Sequence, residues 1–333
     1  MINKEISRDS QLLHKVVMVD GFPGCGKTML SPIISAFPKV ELIQYSSLIE
    51  QICELYNLKQ INKDAAQSMI RMNADLIIYE SMMGRRANFR PTDLSSIFKN
   101  KPFKHIKRLF QAGDLVIPEV INQEEPILHL TTHMLYPAID LLEHSFRDKL
   151  IFIEVVRHPL YMIIQHEMNI KNIDDPRFQH IRYKNDDKEY TFYVEGWENL
   201  FDRSNSFERA IYSMQWYFDK IKSMPENNAL FIPFELFVKS PDIYIDKIAI
   251  SLASEAGKDV RKEMIKQKVP RKLLSDGPAL DIYKRCGWVP PQSYSEEDEI
   301  NIRRELVKSH VSKKALSVLD ELSSFYEKKY LDE

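Results

Sequence analysis

Between Val16 and Leu30 the sequence reads VVMVDGFPGCGKTML. The run Val16–Val19 is apolar and mostly β-branched, which predicts a short buried strand, and Met29 to Phe37 are able to form a helix. The residues between them satisfy the whole phosphate-loop pattern G-x-x-x-x-G-K-[ST] through Gly21, Gly24, Gly26, Lys27 and Thr28. A strand, a glycine-rich turn and a helix in this order predict a phosphate site.

Each residue type in this loop has a chemical reason to be there. Glycines allow positive φ, so that backbone N–H groups turn toward one anion, and the first turn of the helix adds unpaired N–H groups and a positive dipole end. Lys27 adds a point charge, and the Thr28 hydroxyl is able to contact a phosphate oxygen or Mg²⁺. The residues expected to line the bound group are Gly21, Phe22, Pro23, Gly24, Cys25, Gly26, Lys27, Thr28 and Met29.

Composition and charge exclude several classes of protein. The chain has 333 residues, 44% hydrophobic and 28% charged, which is ordinary for a globular protein with a large core. A net charge of −2 gives no global attraction to nucleic acid, so we expect no nucleic-acid partner. The apolar runs are too short for an integral membrane segment, and Cys25, Cys53 and Cys286 show no metal or disulfide spacing. We therefore expect a reduced, cytoplasmic setting.

Strand and helix patterns alternate along the chain, with strands predicted at Ile127–Thr131 and Leu150–Val156. This order predicts an α/β fold with a mostly parallel sheet, helices on both faces and a ligand at the carboxyl ends of the strands. We expect a single domain over residues 1–333. It would carry a helical insertion at about 60–124, a hairpin insertion at about 175–200 and a C-terminal helical segment at about 295–330.

Local signals predict further elements. Val40–Gln44 has the pattern of a strand, and Pro241 to Ala256 that of a helix. Helix N-caps are expected at Ser46, Asp64 and Ser206, and a helix is expected to begin at Pro159. One long helix is expected at about Ser309 to Lys329. The basic cluster Lys99, Lys101, Lys104, Lys107 and Arg108 is typical of a solvated face, with an electrostatic rim around a ligand as the alternative.

The intact loop pattern also fits a kinase or another Mg²⁺-dependent enzyme that uses ATP. Such an enzyme needs a carboxylate near the loop to help hold Mg²⁺. Glu154, inside an apolar strand, is the best candidate, and Glu80 and Glu235 are weaker ones. Glu235 is better interpreted as a structural hydrogen-bond acceptor.

Four segments together resemble the sulfotransferases that use 3′-phosphoadenylyl sulfate (PAPS), in a soluble, bacterial-type form. GFPGCGKTML resembles the loop for the 5′-phosphosulfate, and KLIFIEVVRHPLYMIIQHE the strand–Arg-x-Pro–helix element for the 3′-phosphate. LFIPFELFVKSPDIYIDKIAISLA resembles a strand–helix module of the family, and LTTHMLYPAIDLL the strand end that carries the catalytic histidine. The resemblance covers roughly residues 15–50 and 125–260.

The resemblance implies a P-loop fold and transfer of a sulfuryl group from PAPS to a hydroxyl or amine of a small-molecule acceptor such as a saccharide, without a metal. Lys27 would stabilise the leaving oxygen and His133 would accept the proton, with His129 and His158 as rivals. Arg157, Gln165, Arg271 and Lys272 would bind the 3′-phosphate. Arg85, Arg86 and Arg90 would line the acceptor side, or else only complement a helix end. The oligomeric state is left open.

The sequence departs from the family at several of these positions. Gly24 stands where the cytosolic animal enzymes have lysine, so Lys27 would have to serve from the ordinary P-loop position. Gln165 stands where the family usually has serine. Thr131 stands where some members have a second lysine, and Leu273 stands where the family has glycine. These departures keep open a third hypothesis, a nucleotide-binding chain without activity.

Overall fold

The computed structural model describes residues 5–175, 178–224, 229–274 and 295–332, so that Cys286 lies outside the described residues. The chain forms two compact units that alternate along the sequence. The first unit comprises Met1–Asp20, Lys27–Ile153 and Ile245–Glu263. The second comprises Gly21–Gly26, Glu154–Tyr244 and Met264–Glu333.

The strands confirm the predicted α/β class with a mostly parallel sheet. Their bounds are β1 Lys15–Asp20, β2 Ile127–Thr131, β3 Leu150–Val156, β4 Arg182–Asn185, β5 Lys188–Thr191 and β6 Ala229–Pro233. The hydrogen-bonded order is β2–β1–β3–β6, and β4 pairs with β5 alone. β1 and β2 are parallel, with Val17 opposite His129 and Val19 opposite Thr131. The bounds of β2 and β3 are those the sequence predicts.

The helices of the first unit begin at Lys27, directly after the glycine turn Gly21–Gly26. They are α1 Lys27–Ser35, α2 Ser47–Asn57, α3 Lys63–Met82, α4 Pro102–Arg108, α5 Ile117–Glu124, α6 Ile139–Phe146, α11 Asp242–Ser251 and α12 Lys258–Lys266, the last two running past the bounds of that unit. The Ser46 side chain accepts a hydrogen bond from the Ile49 N–H, which confirms the predicted N-cap of α2.

The helices of the second unit include two long ones at the end of the chain. They are α7 Pro159–Lys171, α8 Glu198–Arg203, α9 Ser206–Ser223, α10 Phe234–Lys239, α13 Glu296–Lys308 and α14 Lys313–Tyr330. α7 begins at Pro159, as predicted, because the missing N–H and fixed φ of proline suit the first helical position. α7 packs on α9, and α9 on α14.

The core of the first unit is built around β1. Val16, Val17, Met18 and Val19 are all fully buried, and every residue of β2 is buried. Apolar burial on this scale stabilises the unit, at about 25 cal/mol for each Å² removed from water. The packed strand therefore fixes the position of its last residue, Asp20, directly before the glycine turn.

The predicted hairpin is present in the second unit. Arg182 pairs with Thr191 and Asn185 with Lys188 in antiparallel register. The turn residues Asp186 and Asp187 have φ of +47° and +63°, the backbone of a tight turn whose twist matches the flanking strands.

One predicted strand and one predicted helix N-cap are wrong. Val40 to Gln44 forms two isolated bridges to β2 at Val40 and Gln44 instead of a strand. α3 begins at Lys63, so that Asn62 and not Asp64 is its N-cap residue, and the Asp64 carboxylate accepts the Ile6 N–H.

Three helix boundaries are also corrected. Asn205, not Ser206, caps α9, and it forms a reciprocal capping box with Glu208. The helix expected to reach Ala256 ends at Ser251. The C-terminal helix expected at about Ser309 to Lys329 is present as α14 and begins later, at Lys313, because Ser312 caps it by accepting the Ala315 N–H.

Within the described residues, the helices are all too short or too polar to span a lipid bilayer.

Candidate functional site

The glycine turn of the second unit has positive φ at three glycines. Gly21, Gly24 and Gly26 have φ of +143°, +91° and +109°, which confirms the positive φ predicted for them. A Cβ at Gly26 would lie 2.2 Å from the Phe234 ring, and one at Gly21 would lie 2.4 Å from the Val155 carbonyl oxygen. Both the backbone conformation and the surroundings therefore require glycine.

Arg157, directly after β3, is fixed against this turn. Its Nη1 donates to the Gly24 carbonyl oxygen at 3.0 Å. Its guanidinium carbon lies 4.2 Å from the ring centre of Phe234 and 5.0 Å from that of Tyr161. The side chain is 9% exposed. Two aromatic faces and a loop carbonyl therefore hold a permanent positive charge beside Gly24.

Two further residues predicted for the 3′-phosphate lie in the same part of the second unit. The Gln165 Oε1 is 3.3 Å from where a Cβ on Gly24 would stand. The Arg271 guanidinium carbon lies 5.7 Å from the Phe234 ring centre, and the Arg271 N–H donates to the Val238 carbonyl oxygen at 3.1 Å. Lys272 is exposed.

Glu235 is a structural acceptor, as the sequence indicates. Its Oε1 accepts the His158 N–H at 3.2 Å and lies 3.9 Å from Arg157 Nε. Its Oε2 accepts the Tyr326 hydroxyl. Burial raises the pKa of the Tyr326 hydroxyl, and Glu235 raises it further, so this hydroxyl stays protonated and keeps donating.

The other two carboxylates considered for Mg²⁺ also bind protein groups. Glu154 is fully buried and accepts the Tyr217 hydroxyl at 2.8 Å. Glu80 accepts from Arg86 Nη1 at 3.2 Å. Among the residues that the structure describes, no three His, Cys, Asp or Glu side chains group in a way that could hold a metal ion.

In the first unit, Asp20 organises the turn after β2. The fully buried carboxylate accepts from Thr132 Oγ1 at 2.9 Å and from the N–H groups of Leu135 at 2.7 Å and Tyr136 at 3.2 Å. Burial raises the pKa of Asp20, whereas the positive charge of Lys27 and these hydrogen bonds act in the opposite direction. The carboxylate thus fixes the turn that carries His133.

His133 is more open to solvent than Arg157. Its Nδ1 lies 2.9 Å from Glu50 Oε1, and its side chain is 41% exposed. Met134, the next residue, has φ of +58°, which is uncommon for a residue other than glycine. A carboxylate on Nδ1 selects the tautomer in which Nε2 is the acceptor, the form that a general base requires.

The rival histidines have structural positions. His129 is fully buried on β2, with its Nδ1 2.8 Å from Ser35 Oγ, and burial lowers its pKa to about 3. His158 caps α7 by accepting the Leu160 N–H at 3.3 Å, and its Nε2 lies 3.0 Å from Glu327. Both are buried, whereas the His133 side chain is partly exposed.

The remaining loop residues differ in exposure. Lys27, the first residue of α1, is 5% exposed, and its charge attracts Asp20. Thr28 is exposed. Phe22 is buried between His166 and Tyr217, with ring centres 4.4 and 5.6 Å away. The buried loop positions also include Cys25 and Met29, and Pro23 is half-buried.

The basic stretches of the first unit are only partly solvated. Arg108 donates to both oxygens of Glu41 at 2.6 and 2.8 Å, and Lys104 donates to Oε1 at 3.0 Å. Burial by itself would raise the pKa of Glu41, but these two cations lower it to about 2. The solvated face expected here is therefore wrong for Lys104 and Arg108.

The arginines considered for the acceptor side bind neighbouring groups of the first unit. Arg86 Nε donates to Gln44 Oε1 at 3.0 Å. Arg85 lies 3.9 Å from Asp114, and Arg90 lies 3.8 Å from Asp93.

Sequence reasoning missed Asp20, Glu50 and Phe234. Asp20 could have been found as the acid that ends a buried strand directly before the loop. Glu50 and Phe234 are brought to His133 and Arg157 only by folding, so no spacing in the sequence indicates them.

No protein-family model matches the chain, and no curated protein matches it. Solved structures similar to it include the sulfotransferase domain of the olefin synthase of Synechococcus PCC 7002, with 11% identity over 91% of this chain and 98% of that domain and a TM-score of 0.38. The sulfotransferase domain of the curacin biosynthetic pathway has 12% identity over 90% of this chain and 99% of that domain, with a TM-score of 0.39. Sulfotransferase STF9 from Mycobacterium avium has 12% identity over 96% of this chain and 78% of that protein chain, with a TM-score of 0.41. At these TM-scores the likeness establishes neither a shared fold nor a shared activity.

Proposed function

We propose that this chain is a sulfotransferase, which moves a sulfuryl group from PAPS to a hydroxyl or amine of a small-molecule or saccharide acceptor. The observation that carries the proposal is the convergence of three predicted phosphate ligands in the second unit. Arg157 and Gln165 both lie against Gly24, and Arg157 and Arg271 share the Phe234 ring. Gly24 and Gln165 are 141 residues apart along the chain, so only the fold brings them together.

We propose that separate groups of residues hold the two ends of the donor nucleotide. Residues Gly21 to Met29 would hold the 5′-phosphosulfate through backbone N–H groups, Lys27 and Thr28. Arg157, Gln165, Arg271 and Lys272 would hold the 3′-phosphate. A guanidinium suits that dianion because it presents several N–H donors in a planar fork.

The chemistry requires three functions from the protein. The acceptor oxygen forms a bond to sulfur while the bond from sulfur to the bridging oxygen breaks, and the bonding electrons stay on that oxygen. Lys27 and the loop N–H groups stabilise the charge that develops there, in the manner of an oxyanion hole. His133 Nε2 accepts the proton that the acceptor loses, with Glu50 holding the ring. Adenosine 3′,5′-bisphosphate is the second product.

The kinase alternative needs a carboxylate that helps to hold Mg²⁺. Its three candidate carboxylates, Glu80, Glu154 and Glu235, are bound to Arg86, to Tyr217 and to Tyr326 with His158. We propose that sulfuryl transfer needs no metal, so that Thr28 contacts phosphate.

Titration calorimetry distinguishes these functions. We expect adenosine 3′,5′-bisphosphate to bind in the presence of a chelator, and ATP with Mg²⁺ to bind at least about tenfold more weakly, since only the former offers a dianion to Arg157. Preference for ATP with Mg²⁺ would remove the proposal. The Lys27→Ala variant should weaken the binding of both nucleotides, which makes it the control for a shared loop.

An activity assay then tests the inactive alternative. Radiolabelled PAPS is incubated with a panel of saccharide, phenolic and amine acceptors, and transfer of the label is measured. Bisphosphate binding without transfer to any acceptor, and without any effect of His133→Ala on donor consumption, would favour a binding protein over an enzyme.

A further inference from the structure

The segment from Phe98 to Leu115 of the first unit exposes several large apolar side chains. Phe103, Phe110 and Leu115 are 86%, 84% and 95% exposed, and Phe98 and Leu109 are 49% and 41% exposed. Single exposed apolar residues are ordinary on protein surfaces, but a concentration of them indicates an interaction surface.

The helix in this segment, α4, is held in an orientation that keeps its phenylalanine exposed. Phe103 and Lys107 are four residues apart on one face of α4, and Phe110 lies in the turn that follows the helix. His105 and Arg108, on the other side, are buried, and Arg108 is bound to Glu41 at 2.6 and 2.8 Å. Because this buried ion pair anchors the inner side, α4 cannot turn its outer side inward without breaking it.

The charge of the segment is complementary to an anionic surface. Residues 98–115 contain five cations, Lys99, Lys101, Lys104, Lys107 and Arg108, and one acid, Asp114. Lys104 and Arg108 are bound to Glu41. Lys99 and Lys107 are exposed and form no ion pair with any described residue. This local positive charge contrasts with the net charge of −2 of the whole chain.

Exposed phenylalanine beside exposed lysine has the composition of an interfacial membrane-binding surface. Aromatic rings enter the boundary between headgroups and acyl chains, while lysine stems extend back so that the ammonium reaches the phosphates. We propose that Phe98, Lys99, Phe103, Lys107, Phe110 and Leu115, termed here the lysine–phenylalanine face, dock this protein on an anionic lipid bilayer. Docking at this face is independent of the reaction that the protein catalyses.

Co-sedimentation of the full chain with lipid vesicles tests the proposal. The vesicles consist of phosphatidylcholine alone, or of phosphatidylcholine with about 30% phosphatidylserine. We expect binding to the anionic vesicles at about 0.1 M salt, and loss of most of it at about 0.5 M, because exposed charges are screened. Vesicles of phosphatidylcholine alone should retain little protein.

Variants separate the two components of the face. Phe103→Ser with Phe110→Ser should lower the partition coefficient by at least about tenfold, since two insertable rings are lost. Lys99→Gln with Lys107→Gln should lower it roughly 30-fold on anionic vesicles only. These side chains are exposed, so the variants should keep the melting temperature of the wild type.

The matched control uses exposed residues elsewhere in the first unit. Ile250 is 79% exposed and the Lys262 side chain is 71% exposed, and Ile250→Ser with Lys262→Gln should bind vesicles like the wild type. Absence of binding to anionic vesicles would overturn the proposal, and so would equal binding to both vesicle types. A concentration-dependent dimer that Phe103→Ser with Phe110→Ser abolishes, in place of vesicle binding, would assign the face to a second copy of the chain.

Discussion

Arg157 in the second unit and His133 in the first are held in opposite ways. Arg157 is nearly buried, lies between two aromatic rings, and donates to a loop carbonyl. His133 is 41% exposed and has one hydrogen-bond partner among the described residues, Glu50. The first arrangement suits a group that binds and must not move. The second suits a group that meets an incoming acceptor and exchanges a proton with it.

The difference separates two measurable roles. Substitutions around Arg157 and the glycine turn should change nucleotide affinity and the free energy of unfolding. Substitutions around His133 should change turnover, while leaving affinity for the nucleotide and stability close to those of the wild type.

The largest effect is expected for His133→Ala on turnover. Removal of a general base should lower the rate of sulfuryl transfer roughly 10²–10⁴-fold, with bisphosphate affinity in calorimetry unchanged. His144→Ala, at an exposed histidine of the same unit, is the control and should keep full activity. Unchanged turnover in His133→Ala would assign the proton to another acceptor.

Glu50→Gln sharpens this test. An amide preserves the shape but accepts from Nδ1 less strongly, so turnover should fall by less than in His133→Ala, and its pH profile should shift. A loss of activity without any change in the pH profile would mean that Glu50 has only a structural role.

The next largest effect is expected for Gly26→Ala on stability. A Cβ would stand 2.2 Å from the Phe234 ring, at a φ of +109°. The strain and overpacking together should lower the free energy of unfolding by about 2–5 kcal/mol, measured by urea denaturation.

Gly257→Ala is the matched control, because a Cβ there has no atom within 4 Å. Its free energy of unfolding should lie within about 0.5 kcal/mol of the wild type. If both variants are equally stable, the close packing of Phe234 on the loop is wrong.

A smaller effect is expected for Arg157→Lys on nucleotide binding. Lysine keeps the charge but loses the planar fork and the stacking on Phe234, so bisphosphate affinity should fall by about 10- to 100-fold. Arg304→Lys, in an ion pair with Asp320 of the same unit at 2.7 Å, should bind the nucleotide normally. Equal affinity of Arg157→Lys and the wild type would exclude a direct phosphate contact.

The smallest effect concerns acid stability and compares one histidine from each unit. His129 and His166 are buried, each beside a serine, and burial lowers both pKa values from about 6.5 to about 3. The unfolded state therefore binds protons first. The stabilisation that each neutral histidine gives is complete above pH 6.5 and is lost as the pH falls from 6.5 toward about 3, by about 1.4 kcal/mol per pH unit.

Urea unfolding between about pH 6 and pH 5 measures this slope, a range that lies above most carboxyl titrations. In His129→Gln and in His166→Gln, the free energy of unfolding should depend less steeply on pH than in the wild type. The difference in slope should correspond to the uptake of one proton fewer on unfolding. A slope that neither variant changes would mean that these imidazoles are protonated in the folded protein.

Much of the fold follows from local sequence. The bounds of β2 and β3, the cap at Ser46, the start of α7 at Pro159 and the hairpin at Asp186 were all predictable, because each depends on residues that are neighbours in the chain. Val40 to Gln44 was mistaken for a strand because its apolar pattern is real, but only its two ends bond to β2.

The sequence by itself determined the glycine turn, since the positive φ of its glycines and the charge of Lys27 are properties of residue type and order. Only the tertiary structure decided which groups surround it. Glu235 lies beside Arg157, Tyr217 donates to Glu154, and Glu50 lies beside His133, at separations of 78, 63 and 83 residues along the chain. Such partners are selected by how buried faces pack, which no local pattern encodes, and a buried charge must find whichever partner that packing provides.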